Sequence, residues 1–426
     1  MDFHILHPRE QIVRIMDRIY HNRLTTLSGG NLSVRDVNGD VWITPAGIDK
    51  VNLSPDDIMC VRSDGMAVGP HRPSSELPFH RWIYERRPDI TAIVHAHPAA
   101  LVSFSIVRIV PDTAVIPQAN SVCGRVGYAP YAMPGSEQLG RNIASTFASG
   151  YNVVLLENHG AVTGGISLLD AYHRLETLEF CARTIIQGKR LGEITSLSAE
   201  QISFFGRRAG ALPEFEPAHH SPRERELRGL IVEIVHRACD RFLMISTEGV
   251  VSARVGDDEF LITPTGMDRR SLGREDIVFI RGGKQEKGKS PSRSVRLHEA
   301  IYRMHPAVNS IITAQSPGVT AYAVTSHRFE TRTIPESYIL LRDIPVIPFG
   351  SQYTAPEAIA RNISAAVPVI LIQNDCLLTS GATVLEAFDR LEVAESSACS
   401  LTDAQALGSV VPIREEDIID IREKYL

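Results

Sequence analysis

Short apolar runs alternate with amphipathic stretches along the whole chain. TAIVHAH (Thr91 to His97) and NVVLLENHG (Asn152 to Gly160) are rich in β-branched residues and bounded by Pro or Gly. Continuous apolar runs of this length predict strands buried on both faces by helices. Around them each half of the chain reads as a helix, a pair of strands about an ITPxG turn, a helix after a Pro-Ser segment, then strand, loop, helix, strand and helix. Interspersed strands and helices predict an α/β fold, a three-layer α/β/α sandwich.

The pattern occurs twice. ITPAGIDKVNLSPDDI (Ile43 to Ile58) returns as ITPTGMDRRSLGREDI (Ile262 to Ile277), 219 residues on. PSSELPFHRWIYERRP (from Pro73) returns as PSRSVRLHEAIYRMHP (from Pro291) at 218, and AYHRLETLEFCART (from Ala171) as AFDRLEVAESSACS (from Ala387) at 216. A nearly constant offset across several elements marks a duplicated fold. The seam is expected in GRRAGALPEFEPAHHSPRE, near Pro213 to Pro217, where Gly, Pro and His cluster. This divides the chain into domains 1–212 and 213–426. Ser221-Pro222-Arg223-Glu224 then opens the second copy as a capping box, much as Pro8 opens the first.

A chain of 426 residues suits two such cores, and 43% hydrophobic with 22% charged residues is ordinary globular composition. The net charge of −6 offers no basic field for nucleic acid or an anionic membrane. The six cysteines are scattered without a CxxC pair, which fits reduced thiols rather than a disulfide framework. MDFHILHPREQIVRIMDRIY carries charges where a secretory segment would be apolar, and no run of about 18 apolar residues follows. A cytoplasmic location is expected.

Chemistry concentrates in the first copy. His95 and His97 stand two apart on a predicted strand, so both imidazoles face one side, and Pro98 ends the strand beside a cleft. His159 lies at another strand end, in Glu157-Asn158-His159-Gly160. Three imidazoles suit Zn²⁺ or another first-row divalent ion and leave positions for substrate. An HxH pair alone is commonly two ordinary histidines. The repeat discriminates, because the second copy carries Thr313, Gln315 and Asp375 at these positions. Histidines required by the fold would recur, so their loss assigns them to chemistry. Glu76, at the entry to a helix, is replaced by Ser294 and belongs with them; a carboxylate beside a metal can move protons.

SGGNLSVR, ITPAG, PSSELPFH, IVHAHP, ENHG and ETLEFCA together resemble the class II aldolase/adducin family, across the first half and in degraded form the second. The resemblance implies that His95, His97 and His159 bind one divalent ion, most often Zn²⁺, with Mn, Co or Fe as alternatives. It makes Glu76 the acid/base; aldolases of this family carry glutamate there and epimerases aspartate. It places Ser28, Asn31, Gly47, Ser74 and Ser75 around a substrate phosphate. Ala46 departs from that pattern, and Gly249 is read as the counterpart of Asn31 in the second copy. The family tyrosine that donates a proton is missing, leaving Gln118, Tyr128 or Tyr131 as replacements. The implied activity is metal-dependent, aldolase-type cleavage of a small hydroxy-carbonyl or sugar-phosphate substrate through a metal-stabilised enediolate. A keto- or hydroxy-acid decarboxylase, a sugar-phosphate epimerase and a non-catalytic adducin-like binding protein are the alternatives. Fourfold rings are common in the family, so a tandem chain is expected to form a homo-oligomer, a ring of four lobes from two chains.

Overall fold

The computed structural model describes residues 3–206 and 210–426; residues 207–209 of the expected seam lie outside these. The chain forms two compact units, one of Met1–Thr113 with Ala119–Arg183, the other of Ala114–Gln118 with Thr184–Leu426. Residues 114–118, 184–206 and 210–212, which the repeat assigns to the first copy, therefore belong to the second unit.

The first unit is built on eight strands: β1 (Asn31–Arg35), β2 (Val41–Ile43), β3 (Met59–Val61), β4 (Ala67–Val68), β5 (Ala92–Ala96), β6 (Val126–Ala129), β7 (Val153–Leu156) and β8 (Gly160–Gly165). Their order is β4-β3-β2-β1-β5-β8-β7-β6, and the β6–β7 pair is the parallel one. The second unit holds β9 (Glu214–Phe215), β10 (Val250–Gly256), β11 (Glu259–Ile262), β12 (Val278–Arg281), β13 (Lys284–Glu286), β14 (Ser310–Ala314), β15 (Val346–Ile347), β16 (Val369–Ile372) and β17 (Leu377–Gly381). Their order is β15-β16-β17-β14-β10-β11-β12-β13-β9. Apart from β9, this reproduces the first sheet strand for strand, so the sequence repeat is a repeat of topology.

Successive strand residues divide between two cores, as the pleat requires. Phe260, Ile262, Val278, Ile280, Ile311 and Ile370 join the helix Val295–Met304. Leu261, Phe279, Ile312 and Leu371 join the helices Pro222–Asp240 and Val384–Leu407 on the other face. In the first unit the helices Leu77–Arg86 and Glu137–Ala148 bury Phe79, Ile83, Ile143 and Phe147 over Ile43, Ile93 and Val154. The helix Pro8–His21 packs its buried Ile12, Ile15, Met16 and Ile19 near β1 and β2.

Ser221 caps its helix, with Oγ accepting from the Glu224 N–H at 3.1 Å. The expected reciprocal bond is not made: the Glu224 carboxylate turns to Arg228 and His220. The long helix Leu168–Leu191 contributes a different cap. Glu179 accepts from the N–H groups of Ala100 and Leu101 at 3.2 and 3.0 Å, at the start of the helix Ala99–Ile106. Glu395 does the same for Gly318 and Val319 at 2.9 and 2.8 Å. A carboxylate on orphan helix donors is a charge-assisted tether. Its presence in both copies marks it as structural, fixing the chain where it leaves β5 and β14.

Candidate metal centre

His95 lies in the middle sheet position, fully buried, with its Nδ1 2.9 Å from the Ala161 carbonyl on β8. That carbonyl takes the Nδ1 proton, so Nε2 carries its lone pair towards the cleft. His97 was expected on the same strand; β5 ends at Ala96, and His97 sits one residue beyond, before Pro98. Its ring is lodged between two glycines. A Cβ at Gly160 would lie 2.6 Å from both His97 Cδ2 and the Ala96 carbonyl, and one at Gly29 would lie 3.0 Å from His97 Nδ1. His159 is carried by the β7–β8 turn, in which Asn158 takes a left-handed φ of 52°. We expect Gly160→Ala to fold yet lose metal affinity by roughly 10- to 100-fold, the usual effect of disturbing a ligand's orientation; metal titration checks this, and unchanged affinity would refute it.

The three rings meet. Their centroids are 4.7 to 4.9 Å apart, and the Nε2 atoms of His95 and His97 are separated by 3.1 Å. Among the described residues, these are the three side chains whose ligand atoms lie within 4.8 Å of one another. Burial pushes His95 and His97 down to about 3 and lowers His159. Neighbouring rings add to the effect for His95 and His97, whereas Glu76 opposes it for His159. All three are neutral at physiological pH, which is the form that ligates a cation. The donor set, its protonation and the backbone orientation of His95 fit a first-row divalent ion.

Glu76 precedes the helix Leu77–Arg86 and turns its carboxylate over the rings, 3.3 Å from His95 Nε2 and 3.9 Å from His159 Nε2. It is held from behind. Asn31 Nδ2 donates to Glu76 Oε2 at 2.6 Å, and Asn31 Oδ1 lies 2.5 Å from His80 Nε2. His80 Nδ1 lies 2.7 Å from Ser33 Oγ, which is 2.6 Å from Tyr84 OH. One proton order satisfies every member: Tyr84 donates to Ser33, Ser33 to His80, His80 to Asn31 and Asn31 to Glu76. We expect Asn31→Leu to lower kcat about 10- to 100-fold, the value of a hydrogen bond to a charged group, with metal content intact. Steady-state kinetics decides; an effect confined to KM would contradict this role.

A model of the Class II Aldolase and Adducin N-terminal domain matches residues 10–186 and again 229–401. The chain belongs to this family in both its halves. Among curated relatives, 3-oxo-tetronate 4-phosphate decarboxylase of Haemophilus influenzae is 31% identical over 205 residues, 47% of this chain and 97% of that protein. The 5-deoxy-D-ribulose 1-phosphate aldolase of Bacillus thuringiensis is 33% identical over 198 residues, covering 46% and 91%. L-fuculose phosphate aldolase of Methanocaldococcus jannaschii is 34% identical over 173 residues, covering 40% and 91%. No described helix is long and apolar enough to cross a membrane.

Within this class II aldolase fold, the residues assigned to phosphate are spread in character. Ser28, Gly47 and Ser75 are exposed. Ser74 is buried, its Oγ accepting from the Glu76 N–H at 3.3 Å. The amide of Asn31 is engaged at both ends by Glu76 and His80. Lys50, which the sequence reading passed over, is buried with Nζ on the carbonyls of Ser28, Gly29 and Gly30. Burial brings it down to about 8 against the opposing pull of Glu76. Arg269 does similar work in the second copy, donating to the Gly249 carbonyl at 2.8 Å. The signal was present in the aligned pair ITPAGIDK and ITPTGMDR: a cation recurs, so it pins the turn. Of the proton-donor candidates, Tyr128 lies beside Glu157 and Tyr131 is exposed. Gln118 lies in the second unit, bonded to Asp375.

The second class II aldolase copy has refilled its centre. Asp375, 2% exposed, accepts from Gln118 at 2.5 Å, Gln315 at 3.4 Å and Gln352; burial pushes its carboxyl up while these bonds oppose the rise. The trio His298, Ser252 and Tyr302 persists at 2.7 and 2.6 Å, so the equivalent His80 trio serves the fold. The residue facing Thr313 across the ladder is Val250, as Asn31 faces His95. This corrects the alignment of Asn31 with Gly249, since the offset drifts by one through the loop. Val250 supplies no acceptor, and His298 Nε2 is buried without a hydrogen-bond partner.

Proposed function

We propose that this chain is a metal-dependent lyase of the aldolase type, with an active lobe (1–212) and a degenerate lobe (213–426). The observation that carries this is the Glu76 carboxylate braced by Asn31 against three neutral imidazoles, in one copy of a duplicated fold and not in the other. His95, His97 and His159 would hold the ion, with Zn²⁺ the first candidate and Mn, Co or Fe the alternatives. Such an ion supplies Lewis acidity, polarising a substrate carbonyl and favouring negative charge on its oxygen.

Glu76 is placed to take the proton from the hydroxyl whose carbon becomes the new carbonyl as the carbon–carbon bond breaks. The bonding electrons pass to the carbon next to the substrate carbonyl, delocalised onto that carbonyl's oxygen, and this α-carbon is then reprotonated. Ser28, Gly47, Ser74 and Ser75, with backbone N–H groups at the helix start, are the proposed seat of a substrate phosphate. Asn31 was assigned there too, and its engaged amide favours a role in orienting Glu76.

Loss of CO₂ from a phosphorylated 3-oxo acid leaves electrons at the same position, and the decarboxylase relatives favour this as the second reading. Incubation with ketose 1-phosphates and with phosphorylated 3-oxo acids separates them: two carbonyl products mark the aldolase, CO₂ release the decarboxylase. Elemental analysis is expected to find about one metal ion per chain. Two per chain, or none after reconstitution, would contradict the assignment of lobes.

A further inference from the structure

The turn Ser28-Gly29-Gly30 is held by Lys50 and rests on the metal centre. Lys50 is 7% exposed, and its Nζ donates to the carbonyls of Ser28 at 2.9 Å, Gly29 at 3.3 Å and Gly30. Its backbone N–H donates to the Leu27 carbonyl at 3.3 Å, which fixes where the side chain starts. An ammonium has three protons, so all of them are spent on the turn and none is left for a substrate. Lys50 is therefore not a replacement for the missing proton donor.

The same turn touches the centre at two points. A Cβ on Gly29 would lie 3.0 Å from His97 Nδ1, and one on Gly30, whose φ is +72°, would lie 2.5 Å from the His95 carbonyl. The backbone thus packs directly on the strand end that carries both rings. One residue further, Asn31 faces His95 across the ladder and donates to Glu76 at 2.6 Å. The second copy keeps a cation here without this arrangement. Arg269 donates through Nε to the Gly249 carbonyl at 2.8 Å and through Nη1 to the Met267 carbonyl at 3.0 Å. The first of these lies in the corresponding turn, Thr247-Glu248-Gly249, and the second outside it. Glu248 and Val250 stand where the first copy has Gly29 and Asn31. A cation alone is enough to hold the turn; the gathering of three carbonyls accompanies the copy that has imidazoles and an acid/base to place. An ammonium is a compact donor on which carbonyls can converge, whereas a guanidinium is a planar fork.

We propose that Lys50 is a positioning residue of the metal centre. By drawing three carbonyls together it holds Gly29 against the His97 ring and sets the start of β1 so that Asn31 meets Glu76. Metal affinity depends on it through the first contact, and proton transfer through the second. The route through Glu76 rests on reading Glu76 as the acid/base; the route through His97 needs only the ion and no reaction.

Lys50→Arg, which installs the residue the second copy uses, tests this. Circular dichroism and thermal unfolding are expected to show the wild-type fold. Titration with Zn²⁺ against a chelator is expected to show affinity weakened roughly 10- to 100-fold. At saturating Zn²⁺, kcat is expected to fall by roughly the same factor, the scale of a catalytic group misplaced by about 1 Å. Arg269→Lys is expected to leave both values unchanged. Wild-type affinity and kcat in Lys50→Arg overturn the proposal, because the cation then only holds the turn. Equal losses in Arg269→Lys overturn it too, since they would trace to the stability of the chain. Weakened affinity with kcat intact, or an effect on KM alone, overturns the route through Glu76. If Lys50→Arg and Lys50→Gln both fail to fold, Lys50 belongs to the fold and the positioning role falls. A wild type that binds no Zn²⁺ overturns the centre and this role together. A wild type that binds Zn²⁺ but turns over neither ketose 1-phosphates nor phosphorylated 3-oxo acids counts against the lyase reading, and the affinities still decide the route through His97.

Discussion

Glu76→Gln is expected to lower kcat by roughly 10²- to 10⁴-fold, the usual contribution of a positioned acid/base, while the protein keeps its metal. The amide fills the same space and can still meet Asn31 if its oxygen faces Asn31 Nδ2, 2.6 Å away in the native pair. What disappears is the ability to accept a proton. Loss of activity with metal retained separates Glu76 from the ligand histidines, whose removal empties the centre. Parallel kinetics and elemental analysis decide the matter. Equal loss of metal in Glu76→Gln would make the carboxylate a ligand first, and full activity would remove it from the mechanism. The reverse change, Ser294→Glu, is expected to create no activity, since no imidazole stands opposite it in the second copy.

Acid is expected to unfold the chain through its buried histidines. Burial, as the sole cause, lowers His298 from 6.5 to about 3. Such a ring binds a proton more readily unfolded than folded. Its stabilising effect is therefore complete above pH 6.5 and is lost as pH falls from there towards 3. His80 shifts alike, chiefly by burial, with Glu76 opposing and His95 adding to it. His298→Gln should flatten the dependence of unfolding free energy on pH in this window by one proton, about 1.4 kcal/mol per pH unit. Denaturant titrations at a series of pH values measure the slope. An unchanged slope would show that the ring is already charged in the folded protein.

The strands and the doubling of the fold were legible because β-branched runs and a fixed offset survive translation into structure. Thus β5, β7 and their partners β14 and β16 lie where the apolar runs stand. The three histidines and Glu76 were legible for a different reason, since the second copy acts as an internal control lacking them. Less visible was anything routed through space. That His80 braces Asn31, and Asn31 braces Glu76, joins residues 49 and 45 positions apart, and no local pattern announces such a chain. The resemblance placed Asn31 at a phosphate, whereas its geometry ties it to the carboxylate. His97 lies one residue past the strand end, before Pro98, and Glu179 tethers the helix start that follows, a contact between segments 78 to 79 residues apart. Lys50 escaped notice because it looks like an ordinary surface residue until the turn folds over it, and Gln118, read as a proton-donor candidate, is bonded to Asp375 by a contact 257 residues apart that no local pattern announces.

The carboxylate at Asp375, gripped by three amides, has an evolutionary implication. Reinstalling histidine at 313, 315 and 375 would not awaken a dormant catalyst, because Gln118 and Gln352 would find their acceptor gone and crowd the space a cation needs. A return of metal chemistry to this lobe is therefore expected to need the two glutamines exchanged together with the three ligand positions.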